Sequence, residues 1–197
     1  MKKALDSRYW SNRYQNAETG WDTGQVTTPL KTYFDQLENK ELKILIPGAG
    51  NSYEAEYLFR NGFKNVYVCD FASEPLMNLR KRCPEFDASH LLRSDFFRLN
   101  DLMFDLIVEQ TFLCALHPAL REDYFKKMKG LLKPGGRLVG VLFDDKLNND
   151  KPPFGGRMDE YPGYFEDYFT VHTYDRCYNS IAPRAGREIF INLVRKH

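Results

Sequence analysis

The chain has 197 residues, and its 28 lysines and arginines nearly balance its 27 aspartates and glutamates, leaving a formal net charge of +1. This balance excludes the strongly basic surface that binding to nucleic acid or an anionic membrane requires. No apolar run approaches the roughly 20 residues that span a bilayer, and residues 1–6 lack the apolar stretch of a signal peptide. The 4 cysteines form no Cys-x-x-Cys pair, which is typical of a reduced compartment. We therefore expect a single cytoplasmic domain over residues 1–197, with no membrane or nucleic-acid partner.

Hydrophobic periodicity and capping residues predict an alternation of helices and strands. One helix is expected over residues 6–16, and a second begins at Thr28 with Pro29 in its first turn. The predicted strands that follow are residues 42–46, 66–69, 90–92, 104–108, 137–143, 170–174 and 188–194. The predicted helices between them run from a cap at Ser52 to Gly62, from Ser73 to near Cys83, from Pro118 to a stop at Lys133-Pro134-Gly135-Gly136, and near residues 161–168.

This order of elements predicts an α/β fold, a Rossmann-like, doubly wound, mostly parallel sheet of seven strands with helices on both faces. The last two strands are joined by a short, turn-rich connection without a predicted helix. We therefore expect an antiparallel hairpin at one edge of the sheet, with the last strand reversed. The two helices before the first strand are an N-terminal addition to this pattern.

The glycine turn after the first strand is the main functional signal. An apolar run ends in Pro47-Gly48-Ala49-Gly50, and the next predicted strand ends at Asp70. Glycines let the backbone approach a ligand, and a carboxylate at the second strand end accepts hydrogen bonds from a ribose diol. Ligands on such sheets bind beyond the carboxyl ends of the strands. Other residues expected at this edge include Phe71, Asp95, Phe96 and Gln110.

Tyr53 favours one class of nucleotide cofactor over another. A dinucleotide-binding turn has a third glycine at this position, and a tyrosine would crowd the helix N-terminus where a pyrophosphate binds. A nucleoside without a diphosphate, S-adenosylmethionine, fits better. A small NAD(P)-dependent reductase is a second hypothesis, although the chain has no catalytic Tyr-x-x-x-Lys motif. A non-catalytic, cofactor-binding module that regulates a partner is a third.

The order of four motifs resembles that of the class I S-adenosylmethionine-dependent methyltransferases. These motifs are Pro-Gly-Ala-Gly at residues 47–50, Val-Cys-Asp at 68–70, Phe-Asp-Leu-Ile at 104–107 and Leu-Leu-Lys-Pro-Gly-Gly-Arg-Leu at 131–138. The N-terminal Trp-Asp-Thr-Gly at 21–24, preceded by Trp10 and Tyr14, is similar to the thiopurine S-methyltransferase family. The likeness is greatest to the thiol and halide methyltransferase branch of that family, and it covers roughly residues 8–195.

The resemblance implies a role for each matching residue and an N-terminal helical lid. Three aromatic rings would cover the cofactor, glycines would line its methionine moiety, and one carboxylate would hold its ribose. Carried over in this way, Trp10, Tyr14 and Trp21 form the aromatic walls, Gly48 and Gly50 line the methionine, Asp70 holds the ribose hydroxyls, Asp95 and Phe96 flank the adenine, and Gln110 lies beside the methionine end. The rings have a physical rationale, because a sulfonium is a cation and aromatic faces attract cations.

The sequence shows no convincing acid/base pair, so no catalytic residue is assigned. Methyl transfer from a sulfonium is an in-line displacement that depends on alignment and desolvation. A thiolate, hydrosulfide or halide is already nucleophilic and needs no general base. We therefore expect a small-molecule acceptor of this type. His117, beside Pro118, is interpreted as a helix-start residue, and Cys114 with His117 makes only half of a metal site, so no metal is expected.

The acceptor is expected to meet residues of the later loops. Phe112, Phe154 and Tyr161 are the candidates for its apolar lining. Lys-Pro-Pro-Phe at 151–154 resembles the motif of amino-methylating enzymes, but it follows the fifth strand rather than the fourth, which excludes an adenine or glutamine N-methyltransferase. Arg157 and Arg184 could attract an anionic acceptor, but they are interpreted as surface arginines. No apolar stripe is left over once the core is assigned, so a monomer is expected.

Overall fold

The structure, a computed structural model, describes residues 5–197, and residues 1–4, part of the N-terminal stretch considered for a targeting signal, lie outside the described residues. Its helices are α1 (Ser7–Gln15), α2 (Thr28–Phe34), α3 (Tyr53–Arg60), α4 (Ser73–Arg82), α5 (Arg121–Leu131) and α6 (Pro162–Phe165). Its strands are β1 (Ile44–Pro47), β2 (Val66–Asp70), β3 (Leu91–Arg93), β4 (Phe104–Gln110), β5 (Leu132–Phe143), β6 (Phe169–Arg176) and β7 (Glu188–Arg195). Short 3-10 turns lie at Ala88–His90, Phe96–Arg98, Leu113–Ala115, Pro118–Leu120 and Ala182–Arg184. Within residues 5–197, no helix combines the length and the apolar character needed to cross a membrane.

The seven strands form one sheet in the order β3-β2-β1-β4-β5-β7-β6. The strands from β3 to β5 pair in parallel, whereas β7 runs antiparallel to both β5 and β6. This confirms the predicted α/β fold, the edge hairpin and the reversed last strand. The direction of winding changes between β1 and β4, which opens a crevice at the carboxyl ends of these strands.

The core lies on both faces of the sheet, because successive side chains of a strand point to opposite faces. On β1, Leu45 belongs to the apolar cluster that contains residues of α5 and α6. Its neighbours Ile44 and Ile46 belong to a second cluster that contains residues of α2, α3 and α4. Complete burial of such a side chain stabilises the fold by roughly 1.5–3 kcal/mol. The two clusters therefore hold α2–α6 against the sheet and fix the strand ends that face the crevice.

Two elements, α5 and β5, begin at least three residues away from their predicted starts. The α-helix α5 begins at Arg121, because Pro118–Leu120 forms a 3-10 turn that His117 caps by accepting a hydrogen bond from the Ala119 amide (3.2 Å). This confirms His117 as a helix-start residue. Strand β5 begins at Leu132, directly after the helix, and its pairing with β4 shifts in register between Phe104 and Leu106. The Lys-Pro-Gly-Gly segment ends the helix as predicted, yet it already belongs to the strand.

Candidate active site

A cavity of about 780 Å³ opens at the crevice between β1 and β4. The structure brings to its wall all the residues that the sequence assigns to the cofactor, and one of the three assigned to the acceptor. These residues are Trp10, Tyr14, Trp21, Gly48, Gly50, Asp70, Phe71, Asp95, Phe96, Gln110 and Phe112. They come from α1, from the loops after it and after β1, and from the ends of β2, β3 and β4.

The glycine turn needs both of its glycines for geometric reasons. Gly48 and Gly50 have left-handed backbone angles, with φ of +55° and +52°. A Cβ on Gly48 would lie 2.1 Å from Cδ2 of Phe112, so the phenyl ring packs directly on the backbone here. A Cβ on Gly50 would lie 3.7 Å from both Nε1 of Trp21 and the Tyr14 hydroxyl. Gly48 thus receives the ring that follows β4, and Gly50 faces the aromatic residues of the N-terminal segment.

Glu109, near the end of β4, holds the turn that follows this strand, a role that the sequence does not reveal. Its fully buried carboxylate accepts hydrogen bonds from the backbone amides of Phe112 (2.7 Å) and Leu113 (3.1 Å) and from the Tyr124 hydroxyl. Burial raises the pKa of Glu109 to about 7. Thr111, within this turn, has φ of +57°, which is strained for a β-branched residue. The carboxylate therefore stabilises a strained turn and positions Phe112 against Gly48.

Asp70 ends β2 at the cavity wall. One carboxylate oxygen accepts a hydrogen bond from the Ala72 amide (2.8 Å). Burial, together with the negative charge of Glu74, raises the pKa of Asp70 to about 7. An ionised carboxylate that is shielded from water and has no salt-bridge partner destabilises the ligand-free protein. Hydrogen-bond donors on a bound ligand would offset this loss of stability. Asp95 differs, because its side chain also caps the Phe96–Arg98 turn through the Phe97 amide (2.9 Å).

Trp10, Tyr14 and Trp21 form one edge-to-face cluster, which we call the aromatic lid. The Trp21 ring centroid lies 5.6 Å from that of Trp10 and 5.7 Å from that of Tyr14, with interplanar angles of 78° and 81°. Partial burial and the charge of Asp70 raise the pKa of the Tyr14 phenol, which therefore stays protonated at neutral pH. The Arg13 guanidinium lies 5.5 Å from the centroid of the Trp21 ring, so the lid already attracts one cation of the protein itself.

The helix that carries two of these rings is attached by polar contacts. None of the residues of α1 is buried. Its Ser7 hydroxyl donates to the carbonyl of Phe71 (2.9 Å), while Ser11 and Gln15 each donate to a carboxylate oxygen of Glu74 (2.8 Å). The helix is thus tied to the segment that follows β2, beside Asp70.

A second part of the cavity wall comes from later loops, and we call it the loop wall. It consists of the segment after β4, the loop after β5 and the connection between β6 and β7. Its members are Cys114, Ala115, Leu116, His117, Leu120, Phe143, Leu147, Pro152, Pro153, Pro183, Arg184 and Arg187. The lining residues in it are largely apolar, apart from the two arginines, the thiol and the histidine.

Phe154 and Tyr161 lie behind the loop wall rather than in the cavity lining. The Phe154 amide donates to the carbonyl of Cys114 (2.7 Å), and its ring packs on His117 with a centroid distance of 5.6 Å. The Tyr161 hydroxyl donates to the carbonyl of Phe143 (2.8 Å). Both aromatic residues therefore support residues of the wall.

Arg184 is not the surface residue that the sequence suggested. Only 7% of it is exposed, and it belongs to the loop wall, whereas Arg157 is exposed and pairs with Asp159. The cause lies in tertiary packing, because Arg184 reaches from the β6–β7 connection to the carbonyl of Trp21 (2.8 Å). Within residues 5–197, no group of three or more metal-ligating side chains is present.

Solved structures show which known proteins share this fold. A 1,6-didemethyltoxoflavin-N1-methyltransferase from Burkholderia thailandensis, with bound S-adenosylhomocysteine, superposes with a TM-score of 0.77 at 15% identity, over 98% of this chain and 88% of that one. A magnesium protoporphyrin IX methyltransferase from Synechocystis, with bound S-adenosylmethionine, gives 0.73 at 14% identity over the full length of both. Both superpositions show that the chain has the fold of two methyltransferases that bind this cofactor or its product.

The residues of the cavity fit this cofactor. It carries a ribose diol and a cationic sulfonium, which match the carboxylate of Asp70 and the ring faces of the aromatic lid. Tyr53 lines the cavity at the start of α3, where a dinucleotide-binding turn would need a glycine. The reductase hypothesis is therefore set aside.

The sequence comparisons identify the family. The sequence model for thiopurine S-methyltransferases matches residues 5–192. A thiocyanate methyltransferase from Brassica oleracea is 26% identical over 95% of this chain and 85% of its own. A thiopurine S-methyltransferase from Vibrio campbellii is 27% identical over 83% of each chain, and a probable thiol methyltransferase from Arabidopsis thaliana is 27% identical over 77% of this chain and 69% of its own. The chain belongs to the thiopurine S-methyltransferase family.

Replacement of Gly48 tests the packing of Phe112 on the turn. We expect Gly48→Ala to lower the free energy of unfolding by about 2–4 kcal/mol, since it combines left-handed strain with a clash against the ring. Gly135→Ala is the matched control, because Gly135 also has a left-handed φ (+74°) but open space around its Cβ position. Urea unfolding measures both variants. Equal losses in the two would show that the contact with Phe112 contributes nothing.

Replacement of Asp70 tests how much its shielded negative charge destabilises the ligand-free protein. Its folded-state pKa of about 7 lies above the unfolded value of roughly 3.9, so its contribution to stability is present at low pH and is lost as the pH rises towards 7. Asp70→Asn should therefore raise the melting temperature of the ligand-free protein at pH 8 but not at pH 4. The same variant should bind S-adenosylhomocysteine about 1–3 kcal/mol more weakly in calorimetry.

The exposed Asp167 provides a control for the removal of one negative charge. Asp167→Asn should leave both measurements unchanged. A lower melting temperature of Asp70→Asn at pH 8, or undiminished ligand affinity, would contradict the account of Asp70.

Proposed function

We propose that this enzyme transfers a methyl group to a small, soft nucleophile, namely a thiol, a hydrosulfide or a halide ion. The proposal rests on one observation about the cavity. Every carboxylate in its lining, and its histidine, accepts a hydrogen bond from a backbone amide and so stabilises the local backbone. These pairs are Asp22 with Gly24, Glu54 with Thr27, Asp70 with Ala72, Asp95 with Phe97, and His117 with Ala119.

Such a site offers no free general base to an acceptor that must lose a proton. A general base has to take a proton within hydrogen-bond reach of the acceptor, and these groups already accept bonds that maintain turns and helix starts. The thiol of Cys114 is no substitute, because burial and the negative charge of Glu109 raise its pKa well above the usual range. A thiolate, hydrosulfide or halide arrives with its electron pair free. The names of the thiol and thiocyanate methyltransferases among the relatives support the same class of acceptor.

The cofactor, when bound, supplies a methyl group on a cationic sulfonium that an in-line nucleophile displaces. We assign the ribose hydroxyls to Asp70 and the adenine to Asp95 and Phe96, with Phe71 nearby. Gly48, Gly50 and Gln110 are assigned to the methionine moiety. The aromatic lid would attract the sulfonium by roughly 0.5–2 kcal/mol and exclude water from it.

The acceptor is assigned to the space beside Phe112 and the loop wall. Phe112 is held there by the bond between its amide and Glu109 and by its packing on Gly48. Phe154 and Tyr161 act indirectly, because they support Cys114, His117 and Phe143. No side chain is assigned a proton-transfer step, since alignment and desolvation are the contributions that the displacement requires.

We further propose that the chain acts as a single domain, as a cytoplasmic monomer, and without nucleic acid. The near-zero net charge supports the last point. The large apolar side chains that are exposed in the described part of the chain lie apart in sequence, at Met77, Met103, Leu120, Val171 and Tyr178.

A panel of acceptors tests the proposed chemistry. With saturating S-adenosylmethionine, we expect turnover of hydrosulfide, a simple alkyl thiol and iodide, and none of an amine, an alcohol or a carboxylate of similar size. The rate with the thiol should rise with pH along the ionisation of the thiol itself, at about 8.5. The rate with iodide should be flat over the same range, since iodide loses no proton.

Iodide thus serves as the internal control for any ionisation of the enzyme. Methylation of the amine or the alcohol in preference to the soft acceptors would overturn the proposal. A rate with iodide that titrates with the same pKa as the rate with the thiol would show that an ionisation of the enzyme, and not that of the thiol, controls both rates.

A further inference from the structure

We propose that Arg184, in the β6–β7 connection, is a positioning residue that fixes Trp21 of the aromatic lid. Its Nη2 atom donates a hydrogen bond of 2.8 Å to the backbone carbonyl of Trp21. The bond joins the β6–β7 connection to the loop after α1, two segments far apart in the sequence. The proposal rests on the cofactor role proposed for Trp21.

The contact that Arg184 makes with the lid is buried, whereas the other contacts that hold the lid are more exposed. It is 7% exposed, and its Nη1 atom lies 3.5 Å from Oε1 of Glu188, which is 3% exposed. Its guanidinium also lies 5.8 Å from the ring centroid of Phe143. The α1 helix, by comparison, has no buried residue. The loop is further tied where Asn51 donates to Asp22, a contact that is only partly buried.

The chemistry of the side chain suits this position. A guanidinium is a planar fork that serves two acceptors at once, whereas an ammonium is a point charge on a flexible stem. In this case Nη2 donates to the Trp21 carbonyl, while Nη1 forms an ion pair with the Glu188 carboxylate at 3.5 Å without a hydrogen bond. Hydrogen bonds that involve a charged donor are stronger than neutral ones and are less easily replaced by water at a buried place. Arg184 can therefore hold Trp21 in one place relative to Gly50.

The hydrogen bond between Arg184 and Trp21 connects the two parts of the cavity wall. Pro183 and Arg184 belong to the loop wall, which we assign to the acceptor, while Trp21 belongs to the lid, which we assign to the cofactor. Loss of the bond should loosen Trp21 even in the ligand-free protein. It should also weaken cofactor binding, because the ring would have to be ordered at the moment of binding.

The experiment uses Trp21 as its own reporter. The chain has 2 tryptophans, so Trp10→Phe leaves Trp21 as the sole tryptophan, and excitation at the red edge of the absorption band selects its fluorescence over that of the 12 tyrosines. In this background we compare Arg184→Lys, which keeps a positive charge beside Glu188, with the double variant Arg184→Met/Glu188→Gln, which leaves no buried charge unpaired. Acrylamide quenching of the ligand-free protein measures the access to Trp21, and circular dichroism verifies the fold.

Arg176→Met in the same background is the matched control. Arg176 is an arginine of the same hairpin that pairs with Asp144 and donates to the carbonyl of Gly186, but it makes no contact with the lid. We expect greater quenching in both Arg184 variants and unchanged quenching in the control. The affinity for S-adenosylhomocysteine should fall by roughly tenfold in the Arg184 variants, as for the loss of one charge-assisted bond.

Unchanged quenching of Trp21 in a folded Arg184 variant would overturn the proposal. If the double variant does not fold, the result for Arg184→Lys decides. Equal increases in Arg176→Met would show that any loosening of the hairpin has the same effect, which also overturns it. If the parent protein binds no S-adenosylhomocysteine, the proposed function fails, whereas the quenching result for Arg184 stands independently.

Discussion

The packing of Phe112 on the backbone of Gly48 is the contact on which the site depends. It joins the turn after β1 to the turn after β4, the two strands between which the winding of the sheet reverses. Gly48 must lack a side chain for the ring to lie there, and the buried Glu109 must hold the turn that carries the ring. The part of the cavity wall at the ends of β1 and β4, which we call the cavity floor, therefore depends on Gly48, Phe112 and Glu109 together.

Around this floor, the protein distributes its charged groups so that few of them are free. The lining carboxylates and His117 stabilise backbone turns, and Arg184 donates to a lid carbonyl and forms an ion pair with Glu188. Asp70 is the least compensated, which is why burial raises its pKa. A site of this kind is suited to binding a cation and aligning a ready nucleophile, and it is poorly suited to moving protons.

The glycines and the carboxylate at the strand ends could be predicted, because their positions depend on residues close to them in the sequence. Gly48, Gly50 and Asp70 follow directly from strand ends in a βαβ pattern, and the resemblance added the aromatic lid. Phe154 and Tyr161 were misplaced relative to the cavity lining, because a loop sequence does not reveal whether a ring faces a cavity or supports its wall. The burial of Arg184 was missed for a related reason, since it arises from a contact with Trp21, 163 residues away in the chain.

The central claim is that the glycine turn, Asp70 and the aromatic lid together hold S-adenosylmethionine, with its sulfur directed towards Phe112 and the loop wall. A crystal structure of the protein with S-adenosylhomocysteine tests this most directly. The account predicts ribose hydroxyls within hydrogen-bond distance of Asp70 and the ligand sulfur beneath Trp21, open to the space beside Phe112. A ribose bound away from Asp70, or a sulfur directed away from the loop wall, would contradict it.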